Sequence, residues 1–197
     1  MKTIRIIAWS LVVLLVGAVS FVWLNQGNQG LQQLAGAGIG GPFTLSRTDG
    51  TVFTEKDIAG KPYAIFFGFT NCPEVCPTTL YEASGWLEQL GSDADKIGIY
   101  FVTVDPERDT PELIAEYVSS FDKRIVGLTG TPEQIETIKK EYRVFSQKVD
   151  LEGGGYTIDH TASIYLMHGD GSFAGTIAWG EDGEIALKKI RNLISRG

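Results

Sequence analysis

The sequence predicts an α/β domain, a mixed central sheet flanked by helices, preceded by an N-terminal transmembrane helix. Three observations carry this. Two unbroken apolar runs, residues 63–69 and 97–104, read as strands buried on both faces. Helix-start signals follow each of them. Residues 6–24 hold no charged side chain.

Lys2 and Arg5 stand before that charge-free run, so residues 1–5 are expected in the cytoplasm, 6–24 across the membrane and the body translocated. Ala18-Val19-Ser20 would suit signal-peptide cleavage, but the run outlasts an h-region of about 7–15 residues, which favours an uncleaved single-pass anchor. No Arg- and Ser-rich presequence precedes it. The expected location is therefore the bacterial inner membrane, with the soluble domain facing the periplasm. Residues 25–41, rich in Gly and Gln, read as a flexible linker with an average reach of roughly 20–25 Å. Residues 42–197 form the domain. Lys2 and Arg5 are the only charges before residue 42, so the domain carries 15 basic against 24 acidic residues, which excludes a nucleic-acid partner. Two cysteines are too few for a disulfide framework in a domain of this size, so they read as reactive.

Within the domain, residues 43–45 and 52–53 flank Thr48-Asp49-Gly50 as a short hairpin. A turn covers 55–60. The buried strand 63–69 ends at Asn71-Cys72-Pro73. Leu80, Ala83, Leu87 and Leu90 recur at helical spacing over 78–90, and Gly91 stops that helix. The second buried strand ends at Asp105-Pro106. Thr110-Pro111-Glu112 and Thr131-Pro132-Glu133 each supply a cap, a proline in the first turn and an acid, starting helices that run to about 121 and 142. Between them lies a short strand at 125–128. Residues 144–148 are extended. A second hairpin joins 162–167 to 173–177 through His168-Gly169-Asp170-Gly171, and 184–195 is the closing helix. Trp86 and Trp179 read as core.

Both cysteines lie where the first buried strand becomes a helix. Four residues apart, Cys72 and Cys76 sit about one turn from each other, with Cα atoms roughly 6 Å apart. That separation suits two thiolates on one metal ion and also falls within disulfide range. Pro77 fits the first helical position, and the helix N-terminus is expected to lower the pKa of Cys76. A close cysteine pair at such a junction, on this order of elements, resembles a thioredoxin-type fold, with C-x-x-x-C in place of C-x-x-C.

A metal would need further ligands. His160, in Tyr156-Thr157-Ile158-Asp159-His160-Thr161, follows the flexible Gly153-Gly154-Gly155 and lies on a loop that could close over the sulfurs. His168, at a hairpin tip, reads as a surface residue, and Glu74 as a solvated charge. Two thiolates and one imidazole are one ligand short of structural zinc. They suit Cu(I), or Cu(II) with a further oxygen, and zinc with an open position stays consistent with the ligand count.

Asn71-Cys72-Pro73-Glu74-Val75-Cys76-Pro77, Val104-Asp105-Pro106-Glu107-Arg108-Asp109-Thr110, Gly127-Leu128-Thr129-Gly130 and Asp159-His160-Thr161, in that order, closely resemble the Sco/SenC family of membrane-anchored copper-binding proteins. The resemblance implies that Cys72, Cys76 and His160 ligate copper, as Cu(I), Cu(II) or both. It also implies a metallochaperone that helps assemble the dinuclear copper centre of cytochrome c oxidase subunit II, meeting other periplasmic copper chaperones or thiol reductants. It further marks Asp105 as an acid supporting the site or docking a partner. Asp105-Pro106 also reads as a plain turn former, and Arg108 with Asp109 as a salt-bridged helix entry.

A second function uses Cys72 and Cys76 as a redox-active pair. It would be a thiol-disulfide oxidoreductase acting on the oxidase subunit's cysteines, or a redox sensor. A peroxiredoxin-like reading meets Pro73 where that family places Thr or Ser three residues before the reactive Cys.

Overall fold

The computed structural model describes residues 38–196. The expected anchor over 6–24 lies outside them, as does most of the linker. Among the described residues no helix is long and apolar enough to cross a membrane.

Among the described residues nine strands and four α-helices follow in order: β1 (Thr44–Arg47), β2 (Val52–Thr54), β3 (Tyr63–Gly68), α1 (Val75–Leu90), β4 (Gly98–Thr103), α2 (Pro111–Ser119), β5 (Ile125–Thr129), α3 (Pro132–Glu141), β6 (Ser146–Asp150), β7 (Tyr156–His160), β8 (Ser163–Met167), β9 (Phe173–Ala178) and α4 (Gly183–Arg196). Seven of the described strands make one sheet in the order β2-β1-β5-β4-β3-β8-β9, while β6 and β7 pair, among the described residues, only with each other. The central trio β3, β4 and β5 is parallel and the flanking pairs are antiparallel, which is the expected mixed sheet.

The apolar runs explain the centre. All six residues of β3 are buried, because helices cover both faces of a parallel core and leave no wet side for alternation. Phe67, Phe101 and Leu128, one from each central strand, have no solvent exposure. The helix starts behave as their residues dictate. The Thr110 hydroxyl accepts from the Leu113 N–H, and Thr131 with Gln134 forms a reciprocal capping box.

Two readings need correction. Helix α1 begins at Val75, which puts Pro77 in its third position. Any of the first four N–H groups lacks an intrahelical partner, so proline fits there equally well. Trp179 is 47% exposed, because it follows the last residue of the edge strand β9, while Trp86 is core as expected.

What matters for the site is the register of β3 on β4, Gly68 opposite Thr103. Two adjacent parallel strands end level, so their exit loops emerge side by side. Loops at the carboxyl ends of parallel strands are where open α/β sheets build sites.

Candidate metal centre

The loop leaving β3 is short and tied down. The Cys72 N–H donates to the Phe69 carbonyl at 3.2 Å, turning the chain so that the Cys72 sulfur lies over the first turn of α1. There it accepts the Cys76 N–H at 3.3 Å. Glu74, at the N-cap, makes no side-chain cap bond, so a sulfur occupies the place where a helix start usually has an oxygen. Cys76 is fully buried, Cys72 is half-buried, and both are free thiols.

His160 arrives on a strand, not on the open loop the triglycine suggested. Residues 156–160 form β7, held by five pairs to β6, with Ser146 opposite His160. The triglycine is only the turn between them. The ring of His160 packs edge-on against Phe66 and Phe69, with centroids 6.0 and 5.7 Å away. Its Nδ1 lies 3.0 Å from the Thr161 carbonyl oxygen. A carbonyl only accepts, so Nδ1 carries the proton and the Nε2 lone pair faces the Cys76 sulfur at 3.4 Å. The two sulfurs and Nε2 all lie within 4.8 Å of one another.

The acidity of the pair reverses the expectation for Cys76. Interaction with the Cys76 side chain holds the Cys72 thiol down to about 4 against an opposing burial penalty, with His160 and the N–H groups of Cys76 and Glu74 adding to the effect. The neighbouring Cys72 side chain, followed by burial, pushes the Cys76 thiol well above its ordinary value. The helix start does favour a thiolate, but its N–H groups point at Cys72. One charge in so small a space then disfavours a second.

Asp105 and Asp109 lie outside the donor cluster and act through their neighbours. Asp105 is buried; it accepts the Tyr156 hydroxyl at 2.8 Å and pairs with the Arg108 guanidinium. Its tie is therefore to the strand that carries His160, beyond what a turn former needs. Asp109, also buried, accepts from the Thr70 hydroxyl at 2.6 Å, the Thr70 N–H at 3.0 Å and the Thr103 hydroxyl at 2.6 Å. It clamps the cysteine loop to the end of β4. The sequence suggests a salt-bridged helix entry at Asp109; its side-chain bonds go instead to Thr70, just past β3, and Thr103, which ends β4. His168 is half-buried at the β8–β9 turn and is not part of the donor cluster, and Glu74 is exposed.

The donor set fits a soft, low-coordinate ion. Two sulfurs and one imidazole nitrogen converge with no carboxylate among them, an arrangement suited to thiophilic metals and poor for hard cations. Phe66 and Phe69 line the imidazole side of the cluster.

The molecule is thus a thioredoxin-like α/β domain with a two-sulfur, one-imidazole donor cluster at the carboxyl end of its parallel strands. The SCO1/SenC family profile matches residues 32–195, and the chain belongs to that family. A structure of Bradyrhizobium japonicum ScoI with copper bound is 46% identical, with a TM-score of 0.73, covering 79% of this chain and 99% of that one. Protein SCO1, mitochondrial, of Saccharomyces cerevisiae is 40% identical over 158 residues, 77% of this chain and 52% of the relative. The chain spans about half the length of the first curated relatives it matches. BsSco, described as a member of the Sco family of cytochrome c oxidase assembly proteins, shares the fold at 21% identity and a TM-score of 0.62, with 80% of this chain and 94% of that one covered.

Proposed function

We propose that this chain is a copper metallochaperone. It takes copper on the sulfurs of Cys72 and Cys76 and on Nε2 of His160, and passes it on during assembly of the dinuclear copper centre of cytochrome c oxidase subunit II. The observation that carries this is the convergence of three soft or borderline donors within 4.8 Å. Copper bound to a relative 46% identical over nearly its whole length supports the choice of metal. The oxidase as destination rests on family membership. The domain division at residue 42 and the single-pass anchor in a bacterial inner membrane, facing the periplasm, are parts of the same proposal and rest on the charge-free run at 6–24.

The chain's own residues divide the work. Cys72, half-buried, is the sulfur a receiving protein's ligands reach first; Cys76, enclosed, is the last to be exchanged. Nδ1–H on the Thr161 carbonyl keeps Nε2 turned to the sulfurs and supplies the correct tautomer. Asp105 supports the site through Tyr156.

The test is copper titration of the domain from residue 42 with His160→Ala. Loss of one of three ligands is expected to weaken binding by at least about tenfold, the scale seen even for outer-sphere partners of metal ligands. Equal affinity in that variant and the wild type refutes the three-ligand site.

A second reading is favoured by the unequal burial of the pair: thiol-disulfide exchange with Cys72 attacking and Cys76 resolving. Cys72 would attack a sulfur of the target's disulfide and release one target thiolate. Cys76 would then give up its proton to the thiolate just released, attack the Cys72 sulfur of the mixed disulfide, release the other target sulfur as a thiolate, and leave the pair oxidised and the target reduced. This needs both cysteines and no histidine, so rescue of oxidase assembly by His160→Ala selects it.

A further inference from the structure

The strand that brings His160 to the sulfurs does not belong to the main sheet. Among the described residues strand β7 pairs only with β6, and no ladder joins either to the seven-stranded sheet. The hairpin is held to the body by side chains. His160 and Tyr156 stand at opposite ends of β7 on the same face, roughly 13 Å apart along the strand, with buried Ile158 between them. His160 makes one end fast against Phe66 and Phe69.

At the other end Arg108, from the loop leaving β4, lies with its guanidinium carbon 3.7 Å from the centre of the Tyr156 ring. Its Nη1 donates to the Tyr156 carbonyl at 2.8 Å, and its Nε pairs with Asp105, the carboxylate that accepts the Tyr156 hydroxyl. Each hydrogen bond of the Arg108 side chain thus leads to Tyr156 directly or through Asp105, and its guanidinium carbon also lies 5.8 Å from the centre of the Phe69 ring. Its remaining nitrogen, Nη2, is buried and has no hydrogen-bond partner among the described residues. The exposed pair of Lys148 with Glu107 adds little by comparison.

We infer that Arg108 is a positioning residue for the third ligand: by clasping Tyr156 it latches the β6–β7 hairpin to the body and sets how firmly His160 faces the two sulfurs. Release of the clasp leaves a two-sulfur site with a loose imidazole, a form suited to yielding its cargo. The metal-related part of this rests on the copper reading above; the mechanical part does not.

The test uses the metal-free and copper-loaded domain, comparing wild type with Arg108→Met, Arg108→Lys, Tyr156→Phe and His160→Ala. In the metal-free protein, amide hydrogen exchange over residues 146–160 is expected to quicken at least about tenfold in Arg108→Met, with β3, β4 and β5 unchanged, because charge-assisted bonds and a stacked cation are lost together. Arg108→Lys should stay close to Arg108→Met, since an ammonium cannot cover the ring while reaching both oxygens. Tyr156→Phe, which loses only the bond to Asp105, should show the same local change at smaller size. In the Cu(II)-loaded protein the imidazole-nitrogen hyperfine coupling should weaken in Arg108→Met toward its absence in His160→Ala. Wild-type exchange over 146–160 in Arg108→Met, or equal acceleration across the central sheet, overturns the latch. If Arg108→Met does not fold, wild-type exchange in Tyr156→Phe overturns it. A wild-type protein that takes up no copper sinks the copper reading, and the exchange data then decide the latch alone.

Discussion

At the scale of single residues, the chemistry turns on two sulfurs made unequal by their surroundings. Cys72 holds its thiolate with a pKa of about 4, chiefly through Cys76, while Cys76 stays protonated beside it. A group lowered in this way is ionised above its folded value and protonated only as pH falls through it. Labelling of the metal-free protein with iodoacetamide should therefore stay fast from pH 8 down to pH 5 (values set by that pKa) and modify Cys72 alone, as peptide mass spectrometry will report. Equal labelling of both cysteines, or a rate that collapses near pH 8, contradicts this asymmetry. Asp109 gives a second residue-scale expectation. Asp109→Ala strands one buried and two part-buried donors and should lower stability by about 3 kcal/mol, measured by chemical denaturation.

At the scale of elements, strand β3 is built around the sulfur it delivers. A Cβ placed on Gly68 would sit 2.6 Å from the Cys76 sulfur and 2.9 Å from the Phe101 ring, so only glycine lets α1 dock this closely. Gly68→Ala should cost about 1–3 kcal/mol by overpacking and should weaken copper binding while leaving the far-UV spectrum intact. The elements differ in how plainly their residues announce them. Strand β3 and the two Thr-Pro-Glu helix starts could be read directly, because apolar runs and caps are local signals. Strand β7 could not. Thr157 and Asp159 alternate with Tyr156, Ile158 and His160, but three glycines next to them read as loop, and only pairing with β6 makes the segment a strand.

At the scale of the whole molecule, the site joins three separate stretches of chain, and anything that binds it favours the folded form. Cu(I) buffered at 100 times its dissociation constant should stabilise the domain by about 2.7 kcal/mol, visible as a rise in Tm that a chelator reverses. Cys76→Ala, which removes the buried sulfur, should lose that rise. Its persistence in Cys76→Ala would mean that copper binds elsewhere. The acidic surface, 15 basic against 24 acidic residues beyond the first 41, belongs to this scale too, since it disfavours phosphate-rich partners regardless of the site.

Residue order alone was enough to specify the mixed α/β layers, the cysteine pair at the strand-to-helix junction and the identity of the candidate third donor. Each of these is written in local periodicity, capping chemistry or ligand softness. Folding in three dimensions decided which sulfur is enclosed and which is charged, that His160 rides on a strand clasped by Arg108, and that Asp105 and Asp109 serve as struts outside the donor cluster. The reason is distance along the chain: Cys76 and His160 are 84 positions apart, Arg108 and Tyr156 are 48 apart, and no local pattern encodes a contact made only when β3, β4 and β7 come together.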